Sequence, residues 1–171
     1  MKIYKCVFTG NELCSDSYPQ NAPFDDEELS DVAFEVKSRR VVKGGEDYGI
    51  TDNSEMDDAN GDAGVETVID IIDTFGLAIT GFSKKDFGVY IKGYMQRLKK
   101  HLEENKPDRV EPFMRGAQKL IKRMLSIFEE LQFYTGESMD EDATMVYSYY
   151  KDGEDTPRFI FIKDGTKEEK C

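Results

Sequence analysis

The chain has 171 residues, of which 39% are hydrophobic and 12% aromatic, with 35 Asp and Glu against 23 Lys and Arg. Its nine Tyr and eleven Phe exclude a disordered chain, because disorder goes with few aromatics. The net charge of −12 excludes nucleic acid as the main partner, and no apolar run approaches the ~20 residues that span a bilayer.

The length fits a single domain over 1–171. Charge is unevenly spread: twelve basic and five acidic residues lie from Lys84 to Arg123, a net of +7, which leaves −19 on the rest. Cys6, Cys14 and Cys171 are odd in number and include no C-x-x-C pair, against a zinc ribbon or a thioredoxin-type dithiol. Met1 to Lys5 opens into a polar stretch with no signal-peptide core. A reducing cytosol is the expected compartment, with release from cells by a route needing no signal peptide as a further expectation.

In chain order, Ile3–Phe8 is β-branched and aromatic and reads as a strand, followed by turn chemistry at Thr9-Gly10-Asn11-Glu12. Pro19 and Pro23 break regular structure before Leu29. Val32–Lys37 reads as a strand, with Arg39–Val42 as its hairpin return. Residues 44–64 hold five glycines and seven acids without a Lys or Arg, which predicts a mobile acidic loop inserted in one domain. Val65–Ile79 is apolar and β-branched between glycines, and reads as a strand.

Ser83 followed by Asp86 has the form of a capping box. Phe87, Tyr90, Ile91, Tyr94, Met95, Leu98 and Leu102 then recur at spacings of three and four, one helical stripe that ends near Asn105–Asp108. A second helix starts near Pro112, with Phe113, Ala117, Leu120, Ile121, Met124, Phe128 and Leu131 as its stripe. The pair predicts an antiparallel hairpin over 83–131, on the order of 30 Å long. Strands follow at Gln132–Glu137, Thr144–Tyr150 and Arg158–Lys163. With strands on both sides of the hairpin, the fold class is α+β.

The chemistry of catalysis is thin. His101 is the one histidine and reads as an exposed helix residue. No nucleophile elbow, phosphate-binding loop or dinucleotide fingerprint occurs. Thirty-five acids make any carboxylate pair cheap, so solvated surface charge is the better reading. Calcium suits the acidic loop better, with Asp52, Asn53, Glu55, Asp57 and Asp58 as ligand candidates of weak affinity. The loop is not an EF-hand: counting twelve from Asp57 or Asp58 reaches Val68 or Ile69, where that site needs Glu. Lys84, Lys85, Lys92, Arg97, Lys99, Lys100, Lys119, Lys122 and Arg123 present a positive surface for an acidic partner.

Several strings together resemble the translationally controlled tumour protein family. Tyr90–Met95, His101–Glu104 and Lys106–Met114 resemble the family's helical hairpin and its joint. Phe128 with Phe133-Tyr134-Thr135-Gly136-Glu137 resembles its carboxy-terminal signature, and Asp52-Asn53-Ser54-Glu55 its loop signature. Phe8, Glu12, Ser15-Asp16 and Tyr18, then Thr156-Pro157, Phe161–Gly165 and Glu169-Lys170-Cys171, extend the likeness over the whole chain. The resemblance implies a tent-like, mainly antiparallel β-domain with a projecting helical hairpin, shared with small-GTPase-binding chaperones and methionine sulfoxide reductases. The zinc-binding cysteine pairs of those relatives are absent from this sequence, so fold kinship does not carry their catalysis across.

It further implies a chaperone-like, non-enzymatic cytosolic protein of growth and stress responses. Its expected partners are calcium, tubulin and microtubules, and a small GTPase or translation elongation factor, which links it to protein synthesis. Tubulin falls to the basic hairpin. The GTPase or elongation-factor contact falls to Glu12 and Glu137, each placed where a strand meets a turn. Cys171 is expected to be exposed, giving a monomer in the cytosol and a Cys171-linked dimer under oxidation. The alternative is a thiol-dependent reductase or exchange activity on a Ras-like GTPase.

Overall fold

The computed structural model describes residues 1–42 and 66–170. The acidic stretch 44–64, with the calcium candidates Asp52, Asn53, Glu55, Asp57 and Asp58, lies outside the described residues, and so does Cys171.

The described strands are β1 (Lys2–Cys6), β2 (Glu12–Ser15), β3 (Ala33–Lys37), β4 (Arg40–Val42), β5 (Thr67–Ile69), β6 (Ala78–Thr80), β7 (Gln132–Thr135), β8 (Val146–Tyr149), β9 (Arg158–Ile162) and β10 (Thr166–Lys170). They pair antiparallel throughout, as a three-stranded sheet β10-β1-β2, a five-stranded sheet β3-β9-β8-β7-β6 and a ribbon β4-β5. Helices are α1 (Asp70–Phe75), α2 (Lys84–Asn105) and α3 (Val110–Ser126). The expected α+β class, with antiparallel sheets in an open, tent-like arrangement and a helical hairpin, is what the chain adopts.

The five-stranded sheet is covered on both faces, which explains why β9 is apolar from Phe159 to Ile162. Ile160 and Ile162 point to one core, shared with the hairpin stripe, while Phe159 and Phe161 point to the other, shared with the small sheet and α1. β7 divides in the same way, with Phe133 toward the hairpin and Tyr134 away. All seven stripe residues of α2 are buried, from Phe87 to Leu102. The hairpin is therefore laid on the sheet. Tyr90 donates to the Ala143 carbonyl at 2.7 Å, and the Tyr94 and Thr144 hydroxyls lie 2.8 Å apart. The Ser83 hydroxyl accepts from the Asp86 N–H at 3.0 Å and caps α2 as expected.

Local readings differ at five places. Val65–Ile79 is not one strand: α1 interrupts it between β5 and β6. The Asp70 carboxylate accepts the N–H groups of Ile71 and Arg39 at 2.8 and 2.9 Å, and Gly76, at φ +64, ends the turn in the left-handed region. Arg39–Val42 does not return on β3, because β4 pairs with β5 while β3 pairs with β9. β2 runs from Glu12 to Ser15, a strand that the sequence did not mark. The second helix stops at Ser126, and a 3-10 turn, Phe128–Glu130, carries the chain to β7. The strongly charged β10 was not foreseen, since its strand character comes from pairing with β1.

Candidate functional site

The two acids picked from strand–turn junctions lie on neighbouring turns. After β1 the chain turns at Gly10, which needs φ +80, and the Asn11 carbonyl accepts from the Cys6 N–H at 2.9 Å. That turn fixes Asn11, whose Oδ1 accepts both the N–H and the hydroxyl of Ser138, at 3.0 and 2.6 Å. A Cβ on Gly136 would fall 2.7 Å from the same oxygen, so glycine is what lets the two turns meet. Glu12 follows Asn11, Glu137 precedes Ser138, and both are exposed. A Cβ on Gly76 would lie 3.4 Å from Cγ of Glu137, which places that side chain over the end of α1. Two carboxylates thus stand on a cross-linked, rigid corner of the molecule.

The cations divide into two groups. Arg97 donates to the Asp142 carbonyl at 2.7 Å, Lys119 is paired with Glu28 and with Asp26, and the Arg123 guanidinium lies 4.5 Å above the Phe24 ring. These three hold loops to the hairpin. Lys84, Lys85, Lys92, Lys100 and Lys122 are exposed and Lys99 half-buried, with no ion pair to any of the described residues. Lys84 and Lys85 open α2, the helix end where the backbone dipole disfavours positive charge, so helix stability does not account for them.

Sequence reasoning missed Arg109, the joint of the hairpin. Its guanidinium forks onto Asp164 at 2.9 and 2.8 Å and onto the Asp31 carboxylate at 3.1 Å, and takes the Asp31 carbonyl at 3.0 Å. The string Lys106–Arg109 marked the joint, but no spacing in the sequence points to partners 78 and 55 residues away. Arg109 borders a groove of about 780 Å³ with Tyr4, Phe34, His101 and Lys167 on its other sides. His101 is half-buried, not exposed as expected, with its ring 5.8 Å from that of Phe8.

Neither described thiol is accessible: Cys6 and Cys14 are 1% and 0% exposed. Burial pushes the Cys14 thiol up to about 12, the wrong direction for a nucleophile. For Cys6 burial also raises the value, but hydrogen bonds from Thr9 and neighbouring backbone outweigh it and the net shift is downward. Among the described residues no group of three or more His, Cys, Asp or Glu is arranged to hold a metal ion, and no helix is long and apolar enough to cross a membrane.

The fold and these surfaces define an α+β protein with antiparallel sheets, a helical hairpin laid on the larger one, and charged surfaces of opposite sign. The family model described as "Translationally controlled tumour protein" matches residues 1–167. The chain is 55% identical over 170 residues to the translationally-controlled tumor protein homolog of Plasmodium chabaudi chabaudi, covering 99% of each. It is 48% identical over 172 residues to the homolog of Theileria parva, again covering 99% of each. It superposes on the solved structure of the translationally controlled tumor-associated protein of Schizosaccharomyces pombe with a TM-score of 0.79, at 35% identity and covering 100% of both chains. The chain belongs to the translationally controlled tumour protein family.

Proposed function

We propose that this is a non-enzymatic cytosolic binding protein that works through two surfaces of opposite charge. The observation that carries the reading is the Asn11–Ser138 cross-link, which holds exposed Glu12 and Glu137 on one corner without using either carboxylate. A small GTPase or translation elongation factor is the partner for that corner, its Lys or Arg pairing with the two acids. Removing one member of a desolvated interfacial charge pair costs about 2–5 kcal/mol of binding. Glu12→Ala and Glu137→Ala should each weaken GTPase binding on that scale, with the thermal midpoint unchanged. Normal binding by both variants would move the contact elsewhere, and early unfolding of both would make the acids structural.

The second surface, Lys84, Lys85, Lys92, Lys99, Lys100 and Lys122, suits acidic tubulin tails. Arg97, Lys119 and Arg123 contribute less, because each is already committed within the chain. Co-sedimentation with microtubules should weaken from low to physiological salt. Insensitivity both to salt and to combined Lys84→Glu, Lys85→Glu, Lys92→Glu and Lys100→Glu changes would remove tubulin from the reading. Weak calcium binding by Asp52, Asn53, Glu55, Asp57 and Asp58 rests on loop composition and is tested by amide shifts on adding millimolar calcium. Shifts confined to other residues would reassign it. A thiol reductase is the second reading. Turnover of a methionine sulfoxide substrate, abolished by Cys14→Ser, is the outcome that would favour it over binding alone. A Cys171-linked dimer is checked on a non-reducing gel, where oxidant-induced dimer persisting in Cys171→Ser would point to Cys6 or Cys14.

A further inference from the structure

The two larger sheets treat their edges differently. On one side of the five-stranded sheet β3 is covered: Asn21 and Glu35 exchange both backbone hydrogen bonds at 2.8 Å. β10 carries Lys167, Glu168, Glu169 and Lys170, and three of the four β2 residues are buried. Charge and cover are the devices that keep an edge from pairing with another chain. β6 has neither. The run Gly76-Leu77-Ala78-Ile79-Thr80-Gly81-Phe82 holds no charge, and Ile79 at its centre is 65% exposed. Beyond β6 no further strand pairs among the described residues, so alternate residues there present N–H and C=O outward.

A recess lies beside this edge. It measures about 300 Å³ and is bordered by Thr80, Phe82, Phe128, Leu131 and Phe133. Thr80 pairs with Phe133 and Ile79 with Tyr134, so Thr80 points to the hairpin face of the sheet and Ile79 to the opposite face. The Phe82 ring packs 5.3 Å from Phe133 and 5.5 Å from Tyr90, which shapes the recess with side chains fixed by the core. A strand added along β6 would place one side chain opposite Thr80, over the recess, and its neighbour opposite Ile79. Two adjacent apolar residues meet both demands.

The charges around the edge set the rest of the occupant. Glu129 borders the recess, Glu141 accepts from the Thr80 hydroxyl at 2.9 Å, and Glu137 lies over Gly76. Lys84 and Lys85 begin only beyond Phe82 and Ser83. We propose that β6 is a docking edge for an extended segment of a partner protein, two adjacent apolar residues flanked by Lys or Arg, which adds to the five-stranded sheet as a sixth strand. This surface adjoins the Asn11 corner, with which it shares Glu137, and is separate from the cationic face of the hairpin.

The test uses the full chain, isotope-labelled, and the blocked peptide acetyl-Arg-Lys-Val-Phe-Val-Lys-Arg-amide. Amide shifts should centre on residues 78–82 and 128–133, saturating at hundreds of micromolar to about a millimolar, as a short strand with few hydrogen bonds implies. Two isomers of the peptide, N-methylated on alternate residues, separate strand addition from general adhesion. One should lose at least about tenfold in affinity while the other binds as before. Replacing the flanking Arg and Lys by Glu should weaken binding by about tenfold, and Ile79→Lys should weaken it at least about fivefold with the thermal midpoint unchanged. Shifts centred elsewhere, equal binding by both methylated isomers, or equal binding by the Glu-flanked peptide would overturn the proposal. So would concentration-dependent dimerisation of the protein alone that shifts the same amides, because a second copy would then own the edge.

Discussion

Two arginines, Arg158 and Arg109, make the same kind of fork and stand in opposite surroundings. Arg158 opens β9 and donates to Glu154 at 3.0 and 2.7 Å and to Glu35 at 2.9 Å, with its side chain 6% exposed. Glu35 also accepts the Phe24 N–H at 2.9 Å and the Tyr149 hydroxyl at 2.7 Å. Burial, and then the bond to Glu35, push that hydroxyl well above its ordinary value, so it remains a donor. Arg109 is 28% exposed, and its second carboxylate, Asp31, is 60% exposed. Chemistry is constant across the pair and access to water is not. Where water is excluded, a broken pair leaves an uncompensated charge; where water enters, it replaces part of the lost bond.

The largest effect should therefore come from Glu35→Ala, at about 3–5 kcal/mol of unfolding free energy, read from urea titration. It strands Arg158, Tyr149 and the Phe24 N–H together. A cost near that of a surface pair would break the comparison at its stronger end. Next comes Arg109→Ala, at about 1.5–3 kcal/mol, because Asp31, 60% exposed, takes up water once the fork is gone, while Asp164, 7% exposed, is left with little. Should Arg109→Ala equal or exceed Glu35→Ala, burial is not what separates the two centres.

Acid sharpens the contrast further. The hydrogen bond from Arg158 is the main cause that holds the Glu154 carboxyl below its ordinary value of 4.5. A carboxyl lowered on folding adds stability that is complete above the unfolded value and lost as pH falls through the folded one. Thermal midpoints should therefore drop from about pH 5 downward, and Glu154→Gln should make that drop shallower. An unchanged slope would mean that other carboxylates set the acid limit. The smallest effect belongs to Lys119→Ala. Lys119 and Glu28 are exposed and Asp26 is half-buried, and the loss should be about 0.2–1 kcal/mol by the same titration.

Much of the hairpin was legible, because a helix that buries one face writes its period into the chain. Every residue of the Phe87–Leu102 stripe is buried, and Ser83 caps where the sequence placed the cap. The run Val65–Ile79 misled for the opposite reason. Its β-branched residues suit either structure, and the choice of helix at Asp70 depends on a bond from the Arg39 N–H, in the link between β3 and β4. β10 was illegible because four charged residues form a strand only when β1 pairs with them.

The candidate surfaces divide along the same line. Sequence alone singled out Glu12, Glu137 and the lysine-rich hairpin, because strand–turn junctions and charge runs are local patterns. It placed all nine hairpin cations on one footing, and only tertiary structure showed that Arg97, Lys119 and Arg123 are committed to Asp142, Glu28 and Phe24. It gave no sign that Asn11 would bridge to Ser138, across 127 residues of chain. Sequence by itself determined the class of fold, the family and the sign of each surface, since composition, period and motif are properties of neighbours along the chain. Tertiary structure decided which charges are paired within the chain, which edge has no partner strand among the described residues and which arginine is dry, because those depend on residues that meet only when distant segments pack and exclude water.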